Sequence, residues 1–343
     1  MVIFEKDIAV DMGTCETLVY EQGSGIVVRE PTVIAVDKFS GKMLKMGNEA
    51  EKMLGRTPAN IVPVNPIQEG VISDYDLAAL MLRELISGVT SFSFFKPCML
   101  MCVPSSITGV QERAVIDAAI EAGARKVYLQ EMAVATAVGA GIDLSKPDGH
   151  LIVDIGGGTT EVAMVSGGGV VACESIKTAG GTFDDSIVKF IRSKYNLLIG
   201  TRTAEDLKKG IGCVVQRKDM SIEEVRGRDL ATGLPKSVKI TSNELIDAFV
   251  DPVNAILDSI HRVLEITPPD LVGDLDANGI LLAGGGSLIY GIEKVVERST
   301  GIRTAVVDDP ISCTAYGAGK LLSALDEMQD GMMNFSRRRM LRG

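Results

Sequence analysis

The sequence predicts an α/β protein built from two related halves. Three observations support this prediction: strand-like and helix-like segments alternate, a strand–Asp–glycine turn–strand pattern occurs twice, and a third glycine cluster follows a buried strand. With 343 residues, the chain is long enough for two domains. Hydrophobic residues make up 46% and charged residues 23%, as in an ordinary globular protein.

The composition argues against several classes of function. The formal net charge is −10, aromatic residues make up 4%, and tryptophan is absent, so nucleic-acid binding is not expected. No run of 18 apolar residues predicts a transmembrane helix, and the acidic N-terminus does not resemble a signal peptide, so we expect a cytoplasmic protein. The six cysteines include no Cys-x-x-Cys pair, which favours reduced, mostly buried thiols over a zinc site.

The two repeated patterns are predicted β-hairpins with glycine-rich turns. Residues 7–11 and 17–20 flank the first turn, and residues 150–154 and 161–165 flank the second, 143 residues further on. The backbone N–H groups of such turns can hold phosphates, and the Asp that ends each first strand can hold a magnesium ion. Two ordinary hairpin turns remain the alternative at this point.

The third glycine cluster, residues 284–287, follows a predicted buried strand at 279–283. We predict that it opens one helix running to Gly301, and that its backbone approaches a ligand at the helix N-terminus. None of the glycine-rich turns reads G-x-G-x-x-G, so a Rossmann dehydrogenase is disfavoured.

Helices are predicted between these landmarks. Apolar spacing predicts one helix over residues 77–85, and an alanine-rich stretch predicts another over 133–140. Capping boxes beginning at Thr108 and Thr241 predict two further helix starts. The polar, turn-rich segments, by contrast, resemble linkers: 143–149 and 218–239.

The order of the three glycine motifs resembles that of the actin/Hsp70/sugar-kinase ATPase superfamily. Within it, the chain resembles the bacterial actin-like rod-shape-determining proteins of the MreB type. The resemblance covers residues 7 to about 325, and the segments that carry it are 25–31, 55–58, 102–104, 122–124, 154–161, 200–212, 233–235 and 284–288.

This resemblance implies an actin-like ATPase fold, with two lobes that each have an α/β core and a small subdomain, and a nucleotide cleft between them. Lobe I would comprise residues 1–143 plus 314–343, with a small subdomain at about 32–66. Lobe II would comprise residues 144–313, with a small subdomain at about 181–240.

The resemblance also implies a site for ATP and Mg²⁺, in which Asp11 and Asp154 would flank the metal. Two sets of residues would hold the phosphates from opposite sides: Gly13, Thr14, Cys15 and Glu16, and Gly156, Gly157, Gly158 and Thr159. Two more would contact the rest of the nucleotide: Glu205, Asp206, Leu207 and Lys208 beside the ribose and adenine, and Gly285, Gly286, Ser287 and Leu288 beside the base and α-phosphate. Thr160 would lie near the attacking water. Such a site acts by positioning and electrostatic stabilisation.

The chain departs from the family pattern at three positions of this implied site. Glu16 stands where the family usually has Asn, which adds repulsion towards a triphosphate. Met132 stands where a Glu usually orients the water, which leaves Glu131, one residue away, as the candidate catalytic carboxylate or as a solvated acid at a helix start. Gly210 stands where the family has a ribose-binding Glu. We therefore hypothesise weak nucleotide binding or slow hydrolysis.

Two segments suggest contact with an anionic membrane surface. Phe92, Phe94 and Phe95 lie between a predicted helix and a strand, where they would either enter a bilayer interface or pack in the core. The tail, residues 332–343, mixes large apolar residues with four arginines, which suits either a second anchor or a solubilising tail.

The function expected from the resemblance is that of an ATP-binding bacterial actin homologue. It would form membrane-associated cytoskeletal filaments from copies of itself, control cell shape and guide cell-wall synthesis with the elongation machinery. One alternative is a small-molecule kinase or phosphatase on the same fold, although no acceptor-site base is evident. Another is a hydrolysis-deficient paralogue that co-polymerises with an active sibling.

Overall fold

The computed structural model describes residues 7–54, 58–90 and 96–324. The chain divides into two compact units. The first unit comprises Met1–Asp148, Val165–Val171 and Ile311–Gly343, and the second comprises Gly149–Met164 and Ala172–Pro310. Each unit contains sheets and helices, which confirms the α/β class.

The first unit is organised around a five-stranded sheet. Its strands are β1 (Ile8–Met12), β2 (Glu16–Glu21), β3 (Gly25–Pro31), β9 (Cys98–Val103) and β10 (Lys126–Glu131). They lie in the order β10-β9-β1-β2-β3; β1 pairs antiparallel with β2 and parallel with β9, and β9 pairs parallel with β10. All six residues of β9 are buried, which is typical of a strand covered on both faces.

Two smaller sheets complete the strands of this unit, one in the order β5-β4-β6 and one a β7–β8 hairpin. Their strands are β4 (Ile34–Asp37), β5 (Met43–Met46), β6 (Ile61–Val64), β7 (Ile67–Gln68) and β8 (Val71–Ile72).

The helices of the first unit are α1 (Gly47–Glu51), α2 (Tyr75–Thr90), α3 (Gly109–Glu121), α4 (Met132–Gly139) and α11 (Cys313–Ala324). The predicted helices at 77–85 and 133–140 are confirmed, as is the capping box in which Thr108 precedes α3. Helices α4 and α11 are in backbone contact: a Cβ at Gly317 would collide with the carbonyl of Ala135.

The second unit contains a five-stranded and a three-stranded sheet. The strands are β11 (His150–Ile155), β12 (Thr160–Ser166), β13 (Gly169–Ile176), β14 (Leu197–Leu198), β15 (Ile222–Asp229), β16 (Pro235–Thr241), β17 (Ile280–Ala283) and β18 (Thr304–Val306). The larger sheet has the order β13-β12-β11-β17-β18 and the smaller the order β14-β15-β16. The turn joining β12 to β13 is grouped with the first unit.

The prediction of a linker at 218–239 is wrong, because this segment forms most of the β15–β16 hairpin. In each of these strands a single residue is fully buried, Val225 and Ile240 respectively. With so few inward-facing apolar residues, the strands have the composition of a linker.

The helices of the second unit are α5 (Gly180–Tyr195), α6 (Thr201–Ile211), α7 (Ser242–Ile266), α8 (Pro269–Gly273), α9 (Leu275–Asn278) and α10 (Ile292–Thr300). The predicted capping box at Thr241 is confirmed, since Glu244 accepts hydrogen bonds from both the amide and the hydroxyl of Thr241. Phe183 of α5 and Phe249 of α7 meet edge to face, with 5.0 Å between ring centroids, in the core between these helices.

The single helix predicted from the third glycine cluster to Gly301 is also wrong. A short 3₁₀ turn, Gly285–Leu288, is followed by a separate helix, α10. Gly291 interrupts the helix, because its φ of 88° lies in the left-handed region, and Tyr290 forms a β-bridge with Cys213. The glycine cluster is therefore not the N-terminus of an α-helix.

Four of the six cysteines are buried, Cys98, Cys102, Cys213 and Cys313, which agrees with the predicted mostly buried thiols. Within the part of the chain that the structure describes, no helix combines the length and apolar character needed to cross a membrane.

Candidate functional site

The turn between β1 and β2 closes on a backbone hydrogen bond in which the Gly13 amide donates to the Glu16 carbonyl at 3.0 Å. Donors from outside the turn hold its other carbonyls. The Thr32 hydroxyl donates to the Gly13 carbonyl at 2.7 Å, and the Asn65 side-chain amide donates to the Thr14 carbonyl at 2.6 Å.

These bonds determine where the following amides point. A trans peptide unit is planar, so the C=O of one residue and the N–H of the next point in opposite directions. With the carbonyls of Gly13 and Thr14 held by Thr32 and Asn65, the amides of Thr14 and Cys15 point away from those side chains. Successive amides that point away from the groups holding the carbonyls can contribute to an anion-binding nest.

The turn between β11 and β12 repeats this arrangement, with a bond from the Gly156 amide to the Thr159 carbonyl at 2.9 Å. Here the outside donors are backbone amides at the start of α5. Gly180 donates to the Gly156 carbonyl at 3.0 Å, and Gly181 donates to the Gly157 carbonyl at 2.8 Å. By the same planarity argument, the amides of Gly157 and Gly158 point away from α5.

An aspartate precedes each turn by two residues. Asp11 is half-buried on β1, and Asp154, on β11, is 7% exposed. Carboxylate oxygens are ligands that Mg²⁺ prefers, so both residues suit this ion. In the described ranges, no group of three or more His, Cys, Asp or Glu residues could hold a metal by itself. A magnesium ion held by either aspartate would therefore need further oxygens from a bound phosphate or from water.

Glu16, the first residue of β2, forms an ion pair with Arg29 of β3, with 3.1 Å between a guanidinium nitrogen and the carboxylate. Both side chains are more than a third exposed, so this contact is solvent-screened. The extra carboxylate at this turn thus has a cationic neighbour, which reduces the repulsion expected from the sequence.

Glu131 and Met132 lie on different elements. Glu131 is the last residue of β10, with extended backbone, and Met132 is the first residue of α4; both are half-buried. The side chain of Met132 offers no strong hydrogen-bond acceptor for orienting a water.

Thr160, predicted to lie near the attacking water, begins β12 and is fully buried. Its hydroxyl donates to the Thr178 carbonyl at 2.7 Å. In this structure the hydroxyl therefore connects β12 to the segment just before α5.

The four predicted residues of α6 have different surroundings. Leu207 lies in the apolar core of the unit, whereas Asp206 is exposed. Glu205 forms an ion pair with Lys209 at 2.8 Å. Lys208 donates hydrogen bonds to the carboxylate of Asp184 on α5 and to the Gly180 carbonyl, both at 2.8 Å.

The third glycine cluster packs against the end of β11. A Cβ at Gly284, where φ is 75°, would collide with both the Asp154 carboxylate and the Ile155 carbonyl. Ser287 is buried and its hydroxyl donates to the Gly284 carbonyl at 2.7 Å. A Cβ at Gly286 would also meet Ile155, while Gly285 and Leu288 are exposed. The structure therefore brings this cluster beside the second turn.

Sequence reasoning missed the residues that hold the turns. They are Thr32, Asn65, Gly180 and Gly181; sequence reasoning also missed Asp184, which pairs with Lys208. The adjacent glycines 180 and 181 were a usable signal, because paired glycines often mark a close backbone approach. Nothing in the local sequence marks Thr32 or Asn65.

The paired hairpin turns and the two α/β units define a protein with the actin-like fold. A solved structure of that class, the MamK double helical filament, is similar with a TM-score of 0.80, covering 93% of this chain and 99% of that one. Its sequence identity is 21%, so this likeness shows the fold alone.

The family follows from closer comparisons. A family model described as MreB/Mbl protein matches residues 5–330, and the chain belongs to the MreB/Mbl family of cell shape-determining, actin-like proteins. The cell shape-determining protein Mbl of Bacillus cereus is 41% identical over 327 residues, which cover 95% of this chain and 98% of that protein. The cell shape-determining protein MreB of Escherichia coli K12 is 41% identical over 330 residues, covering 94% and 95%.

A solved structure supports the same family. The crystal structure of MreB5 of Spiroplasma citri bound to ADP has a TM-score of 0.91 and 38% identity, and covers 95% of this chain and 99% of that one. The resemblance and the fold that the sequence predicted are confirmed.

Proposed function

We propose that this protein binds ATP and Mg²⁺ and assembles into filaments that determine cell shape. The observation that carries the proposal is that each unit has a hairpin turn whose carbonyls are held from outside, so that successive amides point the other way. Family membership supports a nucleotide as the anion, as do the crystal structures of MreB5 of Spiroplasma citri bound to ADP and to AMPPNP.

In this proposal, the amides of Thr14 and Cys15 bind phosphate oxygens in one turn, and those of Gly157 and Gly158 do so in the other. Asp11 and Asp154 hold the ion or its waters, and bound Mg²⁺ neutralises phosphate charge. The segments 205–208 and 285–288 contact the nucleoside. In this proposal the two lobes of the actin-like fold keep the boundaries expected from the resemblance, residues 1–143 plus 314–343 and residues 144–313.

Replacing the amide of Gly157 tests the binding step. Gly157→Pro removes that N–H, whereas Gly157→Ala keeps it, so the two variants form a matched pair. We expect Gly157→Pro to weaken ATP binding by about tenfold or more relative to Gly157→Ala, as for loss of a charge-assisted hydrogen bond. Calorimetric titration with ATP and Mg²⁺ measures this effect, and thermal unfolding confirms that both variants fold. Equal affinities would contradict the proposed role of the turn.

We also propose that ATP hydrolysis is slow, because Met132 stands at the position where the family usually has the Glu that orients the attacking water. Met132→Glu should raise the rate of phosphate release by about 100-fold, the lower end of typical general acid–base contributions. Glu131→Gln is the control: little change in phosphate release would show that Glu131 does not serve as the base. Fast release by the wild type would refute slow hydrolysis. A chain that hydrolyses ATP slowly suits co-assembly with a paralogue that hydrolyses it at the usual rate.

Filament formation is testable by negative-stain microscopy with and without ATP. Filaments of the purified chain, or filaments that form only with an active relative, would support the proposal, while a monomer under all conditions would oppose it. Guidance of cell-wall synthesis through the elongation machinery is part of the same proposal. Mislocalised wall synthesis in cells lacking the protein would support it.

The proposed membrane contacts, Phe92, Phe94, Phe95 and the tail at 332–343, lie outside the described residues. We propose that they bind an anionic inner membrane surface, since basic residues near such a surface contribute about 1 kcal/mol each. Vesicles containing anionic lipid should co-sediment with the full chain and less with a chain lacking 332–343. Unchanged sedimentation at low salt would exclude the tail as an anchor.

A further inference from the structure

The start of α5 holds the second turn through its backbone. The first amides of an α-helix have no partner within the helix, and here two of them, from Gly180 and Gly181, donate to the carbonyls of Gly156 and Gly157. The approach is close, because a Cβ at Gly180 would lie 3.2 Å from the Gly156 carbonyl oxygen. The direction of the turn's peptide groups therefore depends on the exact placement of the first turn of α5.

A buried ion pair fixes the first helical turn of α5. The ammonium of Lys208, on α6, donates to the Gly180 carbonyl and to Oδ2 of Asp184, both at 2.8 Å. One cation thus joins the first residue of α5 to a carboxylate one helical turn further along, and joins both to α6. Two of the three N–H groups of this lysine are used in these bonds.

The surroundings of the pair make it unlike an exposed surface contact. The side chains of Lys208 and Asp184 are 12% and 8% exposed. Oδ1 of Asp184 is buried, and the described residues offer it no hydrogen-bond partner. Burial raises the pKa of Asp184 to about 6, although the neighbouring Lys208 acts in the opposite direction. A buried carboxylate in this setting is costly for stability, which suggests that it is retained for a different purpose.

We propose that Asp184 and Lys208 are positioning residues, which lock the first turn of α5 so that its amides keep the carbonyls of Gly156 and Gly157 turned away from the nucleotide. The chain of contacts runs from Asp184 to Lys208, to the Gly180 carbonyl, and through the amides of Gly180 and Gly181 to the turn. Asp184 acts without touching the nucleotide. The inference rests on the proposed nucleotide binding and adds to it two residues that determine the geometry of the phosphate-binding amides.

This role differs from direct contact between Lys208 and the nucleoside, which the resemblance implies. If Lys208 only contacted the nucleotide, freeing it from Asp184 would leave ATP affinity unchanged or raise it. If the pair positions the turn, freeing Lys208 lowers affinity. Asp184→Asn separates these two cases, because it removes the partner carboxylate and leaves the lysine.

The experiment measures two quantities on the full chain: amide hydrogen exchange at Gly180 and Gly181 without nucleotide, and the Kd for ATP with Mg²⁺. We expect Asp184→Asn to speed exchange at these amides by about tenfold and to weaken ATP binding by about tenfold, comparable to the loss of a hydrogen bond to a charged group. Lys208→Met should have the same two effects. The double variant should bind ATP no more weakly than either single variant, because both residues act as one unit.

Glu174→Gln is the matched control, since it removes the partner of Arg262, another ion pair of the same unit, at 2.8 Å. It should change neither the exchange at Gly180 and Gly181 nor the Kd. If Asp184→Asn does not fold, the double variant carries the test, because it leaves no uncompensated buried charge.

Wild-type exchange at Gly180 and Gly181 in Asp184→Asn would overturn the inference. So would wild-type or tighter ATP affinity in Asp184→Asn combined with weaker affinity in Lys208→Met, which would assign Lys208 to direct contact. Failure of the wild-type chain to bind ATP would instead overturn the proposed function, and the exchange measurement would still decide whether the pair fixes the turn.

Discussion

The two glycine turns have the same internal hydrogen bond but are held in place in different ways. In the first unit, the neutral side chains of Thr32 and Asn65 hold the carbonyls of Gly13 and Thr14, and the Thr32 amide donates to the Cys15 carbonyl at 2.9 Å. In the second unit, backbone amides hold the turn, and the helix that supplies them is fixed by charged groups. Equivalent turns can therefore be disrupted by different substitutions. In the first unit these are changes to the supporting side chains, and in the second they are changes to close backbone contacts or to the ion pair.

The close packing around the second turn should produce the largest effect. Gly284→Ala places a Cβ against Asp154 and Ile155 at a positive φ, so we expect a loss of about 4 kcal/mol of unfolding free energy. Gly301→Ala is the matched control, because its φ of 73° is also positive but nothing lies within 4 Å of the added Cβ. It should cost only about 1 kcal/mol. Chemical denaturation measures both variants, and equal losses would show that packing at Gly284 has little influence.

Acid should weaken the contact between α7 and the C-terminal end of α5, the helix whose start holds the second turn. Glu244 of α7 accepts hydrogen bonds there from Lys194 and Tyr195 of α5. Partial burial alone would raise the pKa of Glu244, but hydrogen bonds from Lys194, Tyr195 and Thr241 outweigh it and lower that pKa to about 2. A lowered pKa contributes stability that is present above the usual value of about 4.5 and is lost as the pH falls towards 2. We expect a loss of about 3 kcal/mol between pH 6 and pH 2 from this group.

Denaturation at a series of pH values checks this expectation, with Glu244→Gln as the comparison. That variant should lose less stability over the same pH range than the wild type. Asp184 does not add to the loss, because its folded-state pKa is raised rather than lowered. Parallel pH profiles for the two proteins would show that the Glu244 network contributes little.

The side chains that hold the first turn should have a smaller effect. Thr32→Val keeps the shape of a fully buried side chain but removes its bonds to the Gly13 carbonyl and to Thr17. We expect a cost of about 2 kcal/mol, because buried polar groups are left unpaired. Thr300→Val removes a bond to the Val296 carbonyl and one from the Ile302 amide, but Thr300 is only half-buried, so water can replace these bonds and the cost should be about 1 kcal/mol or less. A larger cost for the control would argue against a special role for Thr32.

The exposed pair beside the first turn should matter least for stability. Arg29→Ala removes the partner of Glu16 from a solvent-screened contact, so we expect less than about 1 kcal/mol of change in unfolding free energy. The same variant should weaken ATP binding, because Glu16 then repels phosphate without compensation. Glu16→Gln in the Arg29→Ala background should restore the affinity, and a failure to do so would remove Glu16 from the electrostatics of the site.

Much of the fold was predictable because its signals are local. The helix starts at Thr108 and Thr241 depend on residues three positions apart, and both were identified correctly. The two errors have non-local causes. The β15–β16 hairpin has few buried apolar residues, and the helix after Gly284 is interrupted at a bridge between Tyr290 and Cys213.

By itself, the sequence determined the two glycine turns, because each closes on a bond between residues only three positions apart, such as Gly13 and Glu16. Only the tertiary structure decided which way their amides point. The donors that hold the carbonyls lie far away in sequence: Asn65 is 51 residues from Thr14. Such partners meet only when separate elements pack, so the chain's pattern identifies the turns, while packing gives them the geometry for binding an anion.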